Sequence, residues 1–224
     1  MIKTQSKVEQ LIADLCPNGV ELEQLSEIAT VSAAGVDKKI KPNEKNIKLL
    51  NYMDVYHNKY LDKATPTMEV TANDAKIIKC NVLRGDIFIT PSSETLKDIG
   101  NSAVAIEDLN GVVYSYHIMR IRLNEPSITT SMFINYIFES DYVQNQINRD
   151  AQGITRFGLT KTKWEKIKIP IPPLAVQKEI VRILDIFMDL EAELEAELEA
   201  ELELRQKQYD YYRGKLLTFK EYVK

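Results

Sequence analysis

Three styles of apolar and polar patterning follow one another along this chain. Over "SKVEQLIADLCPNGVELEQLSEIATV" the apolar residues recur at helical spacing, which predicts a short amphipathic helix, a turn at Pro17, Asn18 and Gly19, and a second short helix from about Glu23 to Ile28. From Val31 to Leu123 the texture becomes short β-rich runs divided by polar turns: "IKLLNYMDV", "AKIIKCNVL", "GDIFITPSS", "SAVAIED" and "GVVYSYHIMRIRLN". In the last of these, Val113, Ser115, His117, Met119 and Ile121 alternate with Val112, Tyr114, Tyr116, Ile118 and Arg120, the two-residue period of a strand. Helical spacing returns in "SITTSMFINYIFESDYVQNQINRD", with Ser131 or a nearby threonine as N-cap and Phe133, Ile137 and Phe138 as its apolar stripe. "AQGITRFGLTKTKWEKIKIPIPP" then runs through two glycines into a strand that Pro172 and Pro173 stop.

Beyond the prolines, residues 174–219 contain no proline and only Gly214. As one helix they would span about 69 Å at about 1.5 Å per residue, too long to hide inside so small a domain. The predicted fold is therefore α+β. A mixed, mainly antiparallel sheet domain with flanking short helices covers residues 1–173, and a long helical region covers residues 174–224.

Within that helix, "LEAELEAELEAEL" repeats a four-residue unit. Leu190, Leu194, Leu198 and Leu202 form a stripe that drifts by about 40° per repeat, and Ala192, Ala196 and Ala200 form a second stripe on nearly the opposite side. Two apolar stripes predict two neighbours. The glutamates lack lysines at four-residue spacing, so a solitary helix would carry their repulsion without relief. An antiparallel partner would bring its basic end, "RQKQYDYYRGKLL", toward the acidic run, which favours an antiparallel coiled coil.

Composition adds limits. The chain has 224 residues, 44% of them hydrophobic, enough for a genuine core plus an accessory element. No apolar run suggests a membrane span or secretory signal, so the cytoplasm is the expected compartment and no membrane partner is expected. Cys16 and Cys80 have no CxxC partner and His57 and His117 lie far apart, so no metal site is expected and the thiols read as reduced and partly buried. The net charge of −4 is unevenly spread: residues 191–204 hold seven Glu and no cation, and residues 205–224 hold six Lys or Arg against Asp210 and Glu221. The remainder is near neutral, so nucleic-acid binding would need a local basic face.

Catalytic signatures are missing. There is no GxxxxGK[ST] or GxGxxG phosphate loop, no GxSxG elbow and no HExxH. "IPIPP" lacks the residues that flank the Pro-Pro loop of amino-methyltransferases and reads as a strand terminator. Asp86 reads as a turn cap, and His117 as a pocket or core residue. What remains is recognition chemistry. One loop carries Lys38, Lys39, Lys41, Lys45 and Lys48; "TPSSETLKDIGNS" is rich in hydroxyls; "NRDAQGITRFGLTKTK" combines Arg149, Gln152, Thr155, Arg156, Lys161 and Lys163. Lys and Arg hold phosphates, and Gln, Ser, Thr and Arg read base edges.

The segment "MFINYIFESDYVQNQINRDAQGITRFGLTKTKWEKIKIPIPPLAVQKEIVRILDIF" resembles the end of a target-recognition domain running into the conserved helix of a type I restriction-modification DNA specificity subunit. "LCPNGVELEQLSEIATV" and "GDIFITPSSETLKDIGNSAVA" are similar to that family as well, so the resemblance covers essentially the whole chain. It implies a non-catalytic reader of double-stranded DNA, whose helical region spaces two recognition domains and docks methyltransferase subunits, with motor-nuclease subunits joining for cleavage. The chain itself would need no cofactor, S-adenosylmethionine and ATP with Mg being bound by those partners. Family members usually carry two recognition domains and two helical regions, whereas this sequence shows one of each. The resemblance thus implies a half-subunit, natural or truncated, whose other half is a second copy or a different chain; a second copy pairing through Leu184, Leu190, Leu194, Leu198 and Leu202 would read a bipartite, palindromic site. By the same match Pro172, Pro173, Gln177 and Leu184 form the junction. Gln152, Thr155, Arg156 and Lys161 are the first candidates for DNA contact, followed by Lys38, Lys39, Ser92, Ser93 and Lys97. The alternative is a coiled-coil protein-interaction adaptor without DNA specificity.

Overall fold

The computed structural model describes residues 6–220; Glu221 and Lys224 of the basic tail lie outside the described residues. The chain begins with α1 (Lys7–Leu15), closed by a capping box between Ser6 and Glu9. Next come β1 (Leu22–Gln24), α2 (Leu25–Ile28), β2 (Ala29–Ser32), β3 (Lys45–Leu50), α3 (Tyr52–His57), β4 (Tyr60–Leu61), β5 (Met68–Ala72) and α4 (Asp74–Lys79). The central strands are β6 (Ile87–Ile89), β7 (Ser92–Ser93), β8 (Ser102–Ala105), β9 (Val112–Tyr114) and β10 (Met119–Leu123), with a 3-10 turn at Leu96–Asp98. Then follow α5 (Ser131–Ile137), α6 (Asp141–Asp150), β11 (Phe157–Gly158), α7 (Lys161–Glu165), β12 (Lys168–Pro170) and α8 (Leu174–Leu216).

A five-stranded sheet in the order β2-β10-β6-β8-β4 divides the domain. Its pairings are antiparallel except β4 with β8, and in the three-stranded sheet β5-β3-β9 only β3 with β9 is parallel. The mixed, mainly antiparallel architecture is the one predicted. Alternation along the central strands explains how one sheet serves two cores. Ile87, Ile89 and Val104 enter a cluster with Phe133, Phe138 and Trp164, while Phe88, Ala103 and Ala105 enter another with Leu49, Tyr114 and Ile118. A large apolar side chain buried in this way contributes about 1.5–3 kcal/mol.

Three local expectations change. The run "AKIIKCNVL" is not a strand: the Asn73 side chain accepts from the Lys76 amide and starts α4, whose Ile78 faces solvent. The long strand expected over residues 112–123 is two strands in two sheets, because the chain turns at residues 115–118. There the Ser115 hydroxyl accepts from the His117 amide and the Ser115 carbonyl accepts from the Ile118 amide. His117 therefore sits in a turn. The helical segment after Ser127 is α5, capped by Thr130, and α6, capped by Ser140.

The chain divides into two compact units, Met1–Val181 and Arg182–Lys224, so the first turns of α8 belong with the sheet domain. Gln177 is fully buried there and every polar atom of its amide is used. Its Nε2 donates to the carbonyls of Ile128 and Pro172, and its Oε1 accepts from the Thr129 hydroxyl and the Thr130 amide. In the second unit α8 is exposed at every described residue from 189 onward, and Leu190, Leu194, Leu198 and Leu202 are 54–69% exposed. Arg205 pairs with Glu201 and Lys207 with Glu203, while among the described residues Glu191 to Glu199 have no ion-pair partner. Both cysteines are free and buried, and burial pushes the Cys80 thiol up. No described helix is long and apolar enough to cross a membrane, and no described group of His, Cys, Asp and Glu is placed to hold a metal ion.

Candidate nucleic-acid interface

The loop between α6 and β11 closes on itself. Gln152 and Gly158 exchange two backbone hydrogen bonds of 3.0 Å, forming the neck of a short loop that carries Ile154, Thr155 and Arg156. Gly153 is essential to its shape: its φ is +149°, and a Cβ placed there would lie 1.8 Å from the Arg156 carbonyl oxygen. The loop is anchored on β7, since Phe157 pairs with Ser93, Gly158 pairs with Ser92, and the Leu159 amide donates to the Pro91 carbonyl. Arg156 reaches across this ribbon, its Nε donating to Ser92 Oγ at 3.1 Å and its Nη2 to the Ser92 carbonyl at 3.4 Å. Two loops some sixty positions apart in sequence are thus one surface.

A third segment joins through the turn at residues 115–118. Gly35 lies against this turn so closely that a Cβ would be 2.2 Å from the Tyr116 nitrogen, and Val36 and Tyr116 are linked by backbone bonds across residues 114–116. This holds the loop bearing Lys38 and Lys39 beside Tyr116 and His117, whose rings are 4.0 Å apart. His117 titrates below its ordinary value because burial disfavours the charged ring, and the charges of Lys38 and Arg156 push the same way against a smaller opposing effect of Asp37.

The candidate residues fare differently. Gln152, Thr155 and Arg156 are exposed on the closed loop, with Ser92 beneath Arg156. Ser93 is buried and its hydroxyl accepts from the Thr95 amide. Lys97 is exposed on the 3-10 turn, where the neighbouring Asp98 accepts from the Tyr56 hydroxyl and so joins α3 to this loop. Lys38 is exposed, and Lys39 pairs with Asp37 at 2.7 Å. Lys161 starts α7 and pairs with Glu165 at 3.2 Å, one helical turn on. Two exposed residues escaped the sequence reading. Tyr116, 50% exposed, was placed within a continuous strand, and Ile154, 94% exposed, has no periodic neighbour to mark it. The adjacent Tyr116 and His117 were the available signal. A held guanidinium, exposed lysines, hydroxyls, an amide and an open aromatic ring suit contact with phosphates and base edges.

Comparison with known proteins places these features in context. A family model described as the type I restriction modification DNA specificity domain matches residues 17–204. The chain is 62% identical over 73 residues to a putative type I restriction enzyme specificity subunit of Haemophilus influenzae, covering 31% of this chain and 19% of that protein. It is 65% identical over 65 residues to the type I restriction enzyme EcoprrI specificity subunit of Escherichia coli, covering 26% and 16%. The matches therefore span less than a fifth of either relative. Among solved structures, a chain from work on complex assembly and conformational transition of the type I R-M system aligns with a TM-score of 0.61 at 18% identity, covering 85% of this chain and 44% of that one. The HsdS subunit of Thermoanaerobacter tengcongensis aligns with a TM-score of 0.53 at 16% identity, covering 84% and 44%. At these identities the structural likeness concerns the fold.

Proposed function

The chain belongs to the family of type I restriction modification DNA specificity domains, and from that premise we propose that it is the DNA-reading subunit of a type I restriction-modification enzyme, without catalysis of its own. The loops carrying Arg156, Ser92 and Lys38 contact one half of a split site. The exposed leucines of α8, with Leu184, pair with the same face of a second copy in an antiparallel coiled coil, and the two-fold dimer reads a bipartite palindrome. Antiparallel pairing sets the uncompensated Glu191 to Glu199 of one copy near the basic end of the other. Methyltransferase subunits dock on this dimer and bring S-adenosylmethionine; motor-nuclease subunits bring ATP with Mg. The complex works on cytoplasmic DNA.

The observation that carries this reading is the joining of two loops some sixty positions apart into one hydrogen-bonding surface, on which Ser92 holds the exposed Arg156. The purified chain should shift duplexes bearing its bipartite site, with log K falling linearly in log salt, and should methylate nothing until a type I methyltransferase and S-adenosylmethionine are added. Site-specific methylation by the chain alone would overturn the proposal. An intact dimer that shifts no DNA at any salt concentration would leave the protein-interaction adaptor as the better reading.

A further inference from the structure

Arg156 is held in a way that a phosphate contact does not require. A guanidinium offers two hydrogen-bonding forks, a side fork from Nε and Nη2 and an end fork from Nη1 and Nη2. Ser92 occupies the side fork, through its hydroxyl at 3.1 Å and its carbonyl at 3.4 Å, and among the described residues no acceptor takes Nη1. Ser92 is itself fixed by the pairing of β7 with β11, and the backbone of Arg156 by the closed neck at Gln152 and Gly158. The plane of the guanidinium is thereby set before any ligand arrives, with its end fork unspent. The O6 and N7 acceptors of guanine, side by side in the major groove, match such a fork.

The neighbouring residue separates a base from a phosphate as the partner. Ile154, 94% exposed two positions earlier on the same rigid loop, gains nothing against phosphate oxygens, whereas thymine presents a methyl group in the major groove. We infer that Arg156 reads a guanine in each half-site, that Ser92 is its positioning residue, and that Ile154 reads the adjoining step by apolar contact. This assignment rests on the reading of the chain as a DNA specificity subunit. It also reassigns Ser92 from direct DNA contact to support of Arg156.

The test is selection by the full-length chain from duplexes carrying two randomised segments, with the base preference scored position by position. The wild-type chain should enrich a motif containing a guanine that discriminates roughly ten- to hundredfold against other bases. Arg156→Ala removes the fork, so preference at that guanine alone should vanish while the rest of the motif persists; Arg156→Lys, which keeps the charge but lacks the planar fork, should weaken that preference and leave the salt dependence unchanged. Ser92→Ala should weaken the same preference, and Ile154→Ala should alter only a neighbouring position. If Arg156→Ala lowers affinity uniformly without changing any preference, Arg156 is a phosphate clamp and the inference fails while the function stands. A wild-type chain that enriches no motif overturns both.

Discussion

Gly153 occupies the least forgiving position of the candidate interface, with a φ of +149° and the Arg156 carbonyl where a side chain would begin. Gly153→Ala should open the closed loop and cost at least about tenfold in DNA affinity, with the thermal unfolding midpoint changed by no more than a degree or two because the loop buries no core residue. A binding titration beside a melting curve checks both halves of that statement. Other single residues were partly readable from sequence. Asp86 was expected to cap a turn and does, accepting from the Leu83 amide at 2.8 Å. Its second role, a two-pronged ion pair with Arg122 at 2.6 Å, joins positions far apart in the chain that neither motif nor period relates. His117 was expected within a strand and instead sits in the turn that Ser115 makes, its ring beside that of Tyr116.

Gln177 shows at the scale of elements how the start of α8 is locked to the sheet domain. Gln177→Leu would preserve volume but strand the carbonyls of Ile128 and Pro172 and the amide of Thr130 in a buried site. The expected loss is about 2–4 kcal/mol, from roughly 1–3 kcal/mol for each unsatisfied buried group with partial relaxation, measurable as a lower denaturation midpoint with an unchanged m-value. The junction motif marked this residue in sequence, and only the fold shows what it binds. Elements whose local signals agree were legible: α1 with its capping box, and α8 with its uninterrupted helix formers. Elements where two signals compete were not. In α4 the Asn73 cap overrode β-prone isoleucines, and the turn at residues 115–118 overrode a two-residue period because Val112, Val113 and Tyr114 are all buried, pairing with β3 instead of presenting one face to water.

For the whole molecule, in the proposed dimer the four-residue repeat sets a length along DNA. One unit is about 6 Å of helix, nearly two base pairs at about 3.4 Å each. Deleting one LEAE unit from the protein should alter the gap between half-sites and leave the bases of each half-site unchanged, which sequencing the DNA methylated by the complex would reveal. A deletion that changed the bases read but not the gap would make the repeat filler.

The sequence by itself determined the class of fold, the long helix with its repeat and the family, because each is written in local order or in a contiguous motif. Tertiary structure alone decided that one sheet serves two cores, that Ser92 holds Arg156, and that Gly35 lies against the turn at Tyr116. Those facts depend on strand pairing between segments tens of residues apart, and hydrophobic periodicity specifies which face of a strand is buried without specifying against what.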